Sequence, residues 1–238
     1  KVNMSLALQK YQKVKVALVT AGSSGGTPGG AERHFQGLFD GLVTCGCQVN
    51  WIHVDANEPD FQTIVANHQR CCELDLDEYD VVISTKAPTY AIKHHAHVMY
   101  LVHTVRVFDD MFDQAFLAPS AELWRQRSRL HAMELEPLQN AKARFANGTE
   151  TAKRLFRYRG LHAKTLHPPL LTNHFKQGHF DSYFFLPGRL HDWKRVDLVI
   201  KAVKMSTRPM RFKIAGTGEQ LPTLQDLAAG DPRIEFLG

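Results

Sequence analysis

The stretch Phe184-Phe185-Leu186-Pro187-Gly188-Arg189-Leu190-His191-Asp192-Trp193-Lys194 carries a strand, a break and two cations in close succession. Tyr183 to Leu186 is an apolar run that reads as a short buried strand, and Pro187-Gly188 breaks it into a turn. Beyond the turn, Val196, Val199, Ile200 and Val203 recur at helical spacing, so a helix follows at once. Arg189 and Lys194 then lie in a strand-to-helix loop beside the positive end of that helix. Two cations near free backbone N–H groups suit a phosphorylated ligand. Taken alone, such a pair is more often a solvated basic loop, so the rest of the chain decides its meaning.

With 238 residues the chain is long enough for one large or two medium domains. Its 44% hydrophobic and 22% charged content is that of a soluble globular protein. No apolar run approaches the roughly 18 residues of a membrane span, and no secretion-signal pattern opens the chain. Lys1 to Lys15 is a polar, weakly amphipathic lead-in. A cytoplasmic location follows as the expectation.

The net charge is +5 and the pI about 9.0. Residues 142–164 concentrate Lys142, Arg144, Lys153, Arg154, Arg157, Arg159 and Lys164 against Glu150 alone. Such a face suits an anionic membrane surface, here the inner leaflet, although a solvated helix face has the same composition. Aromatic residues are too thin there (Phe145, Phe156, Tyr158) for a nucleic-acid surface, and no nucleic-acid partner is assigned. Cys45, Cys47, Cys71 and Cys72 lack the C-x₂₋₄-C spacing of a zinc site. A mixed site with some of the 13 histidines stays open, but no metal is assigned; unpaired thiols in a reducing compartment are expected. Asn147-Gly148-Thr149 meets the glycosylation sequon, read as accidental without a secretion signal.

In chain order, Val14 to Thr20 is a buried-strand run that enters a loop with five glycines between Ala21 and Gly30. Ala31, Phe35, Leu38 and Leu42 then mark an amphipathic helix, and Gln48 to Val54 the next strand, with Asp55 at its tip. An acidic residue there would suit the ribose of a dinucleotide. The glycines at 22, 25, 26, 29 and 30 do not fit G-x-G-x-x-G, however, which argues against a nicotinamide enzyme. Phe61 to Cys72 reads as a helix, Tyr79 to Ser84 as a strand, Pro88 to His97 as a short helix or loop, and Val98 to Val102 as a strand. His103-Thr104 falls at its carboxyl end, where ligands gather in open α/β sheets. Residues 106–119, aromatic and rich in aspartate, read as a substrate-side flap or an ordinary surface segment. Ser120 caps a long helix that Pro137 is expected to bend or end. Ala143 to Ala146 is a strand, 150–158 a basic helix stopped by Gly160, and Ala163 to Leu166 a strand. His167-Pro168-Pro169 suits a domain boundary. The second half supplies strands Arg211 to Ala215 and Arg233 to Leu237 around a helix at Leu221 to Ala228. The expected division is 1–170 and 171–238, both α/β.

The order of short motifs carries a resemblance. GGAER (Gly29 to Arg33), His103-Thr104, ANGT (Ala146 to Thr149), HPPL (His167 to Leu170), GRL-x₃-K (Gly188 to Lys194), IAGTG (Ile214 to Gly218) and EFLG (Glu235 to Gly238) follow one another as in glycosyltransferase family 4. The chain resembles those retaining, nucleotide-sugar-dependent enzymes from about Val14 to its last residue. The resemblance implies the GT-B fold: a Rossmann-like N-terminal acceptor domain and a second Rossmann-like domain, truncated here, for the nucleotide sugar. It implies donor contacts by Gly29, Gly30, Gly216 and Gly218, and a diphosphate clamp by Arg189 and Lys194. His103, also catalytic, would stand near the transferred sugar, with Thr104 and Arg106 on the acceptor side. The expected partners are a nucleotide-diphosphate sugar and a glycan or lipid-linked acceptor, with no cofactor. Front-face attack needs no protein nucleophile.

Around His103 the segment lacks the Pro of the C-H-T-P-x-R-Y pattern and sets Arg106 one residue early. The family's Glu-x₇-Glu segment would fall beyond Gly238, so a fragment with weak or no transfer activity is expected. A GT-B sugar-nucleotide epimerase and a non-catalytic acceptor- or partner-binding module are the alternatives.

Overall fold

A computed structural model describes residues 14–22, 30–169 and 176–238. The lead-in before Val14, the glycine loop up to Gly29, and Leu170 of the HPPL motif lie outside the described residues. The chain divides into two compact units, Lys1–Asn173 and His174–Gly238.

The first unit is built on six parallel strands: β1 (Lys15–Gly22), β2 (Gln48–Asp55), β3 (Val81–Ser84), β4 (His97–Leu101), β5 (Ala143–Ala146) and β6 (Lys164–Thr165). Their order across the sheet is β2-β1-β3-β4-β5-β6. The helices are α1 (Gly30–Thr44), α2 (Phe61–Cys72), the single turn α3 (Phe112–Ala115), α4 (Ala121–Asn140) and α5 (Thr149–Arg159). Both faces of β1 are covered, which explains the unbroken apolar run Val16 to Val19. Val16 and Leu18 face Leu38 and Leu42 of α1, while Ala17 and Val19 face Cys71, Leu76 and Tyr79 on the other side. Local signals set the helix ends. Asp60 accepts the Thr63 N–H at 2.8 Å, Ser120 accepts that of Leu123 at 3.2 Å, and left-handed Gly160 closes α5 by donating to the Phe156 carbonyl at 2.8 Å. All four cysteines are free thiols.

Of the bend or end expected at Pro137, the end does not occur: α4 continues to Asn140 and stays buried past the proline. Leu130 and Leu138, on either side of it, are both fully buried in the core cluster. The Arg144 Nη1 donates to the carbonyls of Leu138, Gln139 and Ala141 and so satisfies the end of the helix. Burying a leucine is worth about 1.5–3 kcal/mol, enough to offset most of one missing helical hydrogen bond.

The first half of the 106–119 segment is anchored in the core, while Asp113 to Ala115 and Leu117-Ala118 are exposed. Phe108 and Phe112 are buried in the same cluster, and Asp109 is buried with them. Arg127 of α4 holds the segment, donating from Nε to the Phe108 carbonyl at 3.0 Å and stacking over the Phe112 ring at 4.5 Å.

The basic window also changes meaning. The Arg159 side chain is 1% exposed and bonds Asp109 at 2.9 Å and Glu134 through two nitrogens. Arg154 bonds Asp110 at 2.9 Å, and Arg144 caps α4. Lys142, Lys153, Arg157 and Lys164 are left exposed. Glu134 also accepts the Tyr90 hydroxyl and lies 3.4 Å from His68 Nε2, while the His131 Nε2–H serves Asp109 at 3.0 Å and the Phe108 carbonyl at 3.1 Å.

The second unit has parallel strands β7 (Phe184–Pro187), β8 (Phe212–Ala215) and β9 (Ile234–Phe236) in that order, with α6 (Val196–Met205) and α7 (Leu221–Ala228). Leu190, Val196, Ile200, Ile214, Leu224 and Ala228 form its core. The strand expected to be buried is not: Phe184 is 60% and Phe185 55% exposed. β7 is an edge strand, and of its residues only Leu186 packs against that core. Phe184 stacks instead on Phe212, ring centres 4.8 Å apart. Among the described residues, no helix is long and apolar enough to cross a membrane.

Two predictions follow from the buried charges. Arg159→Met strands two carboxylates and should cost about 3–5 kcal/mol in urea unfolding, whereas Lys153→Met, which breaks the exposed pair with Glu150, should cost no more than about 1 kcal/mol. Burial works to raise the pKa of Glu134 and Asp109, but the histidines and Arg159 overcome it and leave both lowered. Burial likewise opposes the charged form of His68, yet Glu134 leaves its pKa raised. The carboxylate contribution is complete above the ordinary range of about 4 and is lost as pH falls through the lowered values. The His68 contribution is complete below about 6.5 and fades as pH rises through its raised value. Unfolding measured across pH should therefore show a maximum between these limits that Glu134→Gln flattens.

Candidate functional site

In the first unit, the loops after β2, β3 and β4 meet at the carboxyl ends of the strands. They line a depression of about 270 Å³ with Ala56, Glu58, Lys86, Ala87 and His103 to Arg106. His103 and Thr104 therefore stand where the sequence placed them. The His103 Nδ1 donates to the Thr104 carbonyl at 3.0 Å, which leaves Nε2 as an acceptor. Burial lowers the His103 pKa, and the nearby Lys86, Arg106 and Arg154 lower it further against the pull of the Thr104 carbonyl. The ring is thus held neutral, in a form able to accept a hydroxyl proton. Thr104 is buried, and its hydroxyl lies close enough to the Asp109 carboxylate to help lower that group's pKa. Arg106 lines the depression but is bound to Asp110 at 2.7 Å, and Asp110 is shared with Arg154.

Two lining residues escaped the sequence reading. Burial raises the Glu58 pKa, with His68 and Lys86 opposing. Burial lowers that of Lys86, with Glu32 and Glu58 opposing. Both follow strand ends, Glu58 after β2 and Lys86 after β3, so a check of every strand's carboxyl end would have found them. Gly30 opens α1 with open space where a side chain would stand; its neighbour Gly29 lies outside the described residues.

In the second unit, Arg189 and Lys194 lie between β7 and α6, as expected. Lys194 ends a short 3₁₀ turn (Asp192–Lys194), and left-handed Arg195 precedes the helix. Both cations are exposed, and neither forms an ion pair among the described residues. The loop is laid onto the one after β8. Gly188 N–H donates to the Ala215 carbonyl and Leu190 N–H to that of Thr217, each at 2.9 Å. A Cβ on Gly216 would stand 2.0 Å from the Gly188 oxygen, and one on Gly218 2.3 Å from the Leu190 oxygen. Backbone contact thus accounts for glycine at both positions.

The fold is that of the GT-B glycosyltransferases, α/β throughout with parallel sheets. The lipopolysaccharide outer core galactosyltransferase WaaB is similar at a TM-score of 0.56 and 13% identity, over 94% of this chain and 68% of that one. Anabaena HepE in complex with UDP and glucose is similar at a TM-score of 0.53 and 14% identity, over 94% and 69% of the two chains. A second HepE structure, with UDP, is similar at a TM-score of 0.51 and 16% identity, over 94% and 69%. No family model and no curated protein matches the sequence.

Gly216→Ala and Gly218→Ala should each lower the thermal midpoint by an amount equivalent to about 1–3 kcal/mol, with faster amide exchange in β7 and β8. Gly30→Ala should leave the midpoint unchanged or higher.

Proposed function

We propose that the protein is a nucleotide-sugar-dependent glycosyltransferase of the family 4 kind. It would move a hexose from a nucleotide diphosphate to a hydroxyl of a glycan or lipid-linked acceptor, with retention. The reading is carried by Arg189 and Lys194, two exposed cations without ion-pair partners among the described residues, on a loop fixed by backbone hydrogen bonds. HepE, of the same fold, has been seen with UDP and glucose.

The chemistry assigned to each group is simple. The acceptor oxygen bonds to the anomeric carbon as the bond to the phosphate oxygen breaks. Negative charge grows on the diphosphate, and the two cations stabilise it more as it leaves than before. The acceptor proton passes to the departing phosphate. His103, neutral and with Nε2 open, orients the acceptor hydroxyl by accepting from it. Side chains meet the charge of the leaving group, so no divalent metal is assigned to this step. Contact with the inner membrane face rests on the four exposed cations of 142–164.

Titrating UDP and GDP by calorimetry tests the clamp. Arg189→Ala and Lys194→Ala should each weaken the preferred nucleotide about tenfold or more, equivalent to about 1.4 kcal/mol. Binding that ignores both substitutions sinks the assignment.

A further inference from the structure

We propose that Glu58 and Lys86 form a recognition pair for the hydroxyl groups of a neutral saccharide, held in the depression of the first unit beside His103. The pair rests on the reading of this unit as the acceptor side, and gives that acceptor a chemical class.

Three strand ends converge on the site: Glu58 after β2, Lys86 after β3 and His103 after β4. At about 270 Å³ the depression lies below the roughly 300–1,000 Å³ of sites that enclose drug-sized ligands. It suits one sugar ring at the end of an acceptor.

Hydrogen bonding selects what can enter. Glu58 Oε1 is buried with no hydrogen-bond partner among the described residues. An orphaned buried acceptor is costly, and a donor brought to this carboxylate relieves the cost. His103 Nε2 is a second acceptor, because its Nδ1 proton is committed to the Thr104 carbonyl. The Lys86 ammonium is a donor. Hydroxyl groups both donate and accept, so a polyol answers all three, whereas an apolar ligand answers none.

Charge selects further. Lys86 lies in the field of both Glu32 and Glu58, and Arg106 is already bound to Asp110. Carboxylates thus stand near both cations, so a uronate or phosphate there gains little net attraction and meets Glu58 at close quarters. A neutral sugar meets no such cost.

Ligand-observed NMR on the full chain tests the pair with three probes: methyl α-D-glucopyranoside, methyl α-D-galactopyranoside and the anionic methyl α-D-glucuronide. At least one neutral glycoside should bind in the millimolar range and the glucuronide more weakly. Glu58→Gln and Lys86→Gln should each weaken the neutral glycoside about tenfold. Melting curves check the fold of each variant, and Lys86→Gln decides alone if Glu58→Gln does not fold. No binding of either neutral glycoside, equal binding by the variants, or preference for the glucuronide overturns the pair. UDP titrated into the same samples separates the two readings. UDP binding without glycoside binding removes the pair and leaves the transferase standing. Glycoside binding that depends on Lys86, without nucleotide binding, keeps the pair and removes the transferase.

Discussion

A guanidinium taken out of water costs several kcal/mol unless carboxylates and hydrogen bonds surround it. Arg159 is placed this way, and much of the first unit is arranged around it. Its partners come from three segments: Glu134 from the middle of α4, Asp109 from the loop after β4, and its own Tyr158 carbonyl at 3.1 Å. His68 of α2 joins through Glu134. With His68 protonated, two anions meet two cations and the cluster is neutral as a whole. Helices α2, α4 and α5 are therefore tied by charge as well as by packing. The tie reaches the depression, because Asp109 lies only three residues beyond Arg106. The His103–Arg106 loop is thus held at one end by β4 and at the other by Asp109.

The second unit solves the same positioning problem by other means. Among the described residues, no buried ion cluster supports the Arg189 loop. Its support is backbone against backbone, with Gly216 and Gly218 removing the side chains that would keep the loops apart. Leu190, fully buried between the exposed Arg189 and His191, pins the loop from below. Exposed cations on a fixed loop lose less freedom on meeting an anion than cations on a mobile one. Glycine at 216 and 218 then bears on the proposed anion clamp indirectly, through the shape of the loop that carries Arg189.

The strands were legible because parallel strands buried on both faces are apolar without interruption, as in Val16 to Val19 and Val82-Ile83. The caps at Ser120 and Gly160 were legible because they act within one turn of the chain. What failed was non-local. Pro137 breaks helices by a local rule, and Leu138 overrides it by packing against residues far away in sequence. Tyr183 to Leu186 has the composition of a buried strand but occupies a sheet edge, which composition cannot report. Glu58 and Lys86 follow different strands and meet only when the sheet is assembled.

Counting charge in a sequence window misleads for the same reason. Residues 142–164 looked like a basic face because the window holds only Glu150. The anions that neutralise Arg154 and Arg159 are Asp110, Asp109 and Glu134, all outside it. Arg144 faces carbonyl groups instead. A patch that starts with seven cations keeps four, one of them paired with Glu150 at 2.9 Å, and its attraction for an anionic surface shrinks accordingly. The pair Arg189 and Lys194, unremarkable by count, keeps both of its charges exposed. For an anion, what matters is the cations still unmatched after folding: three of the window's seven, against both members of the short loop's pair among the described residues.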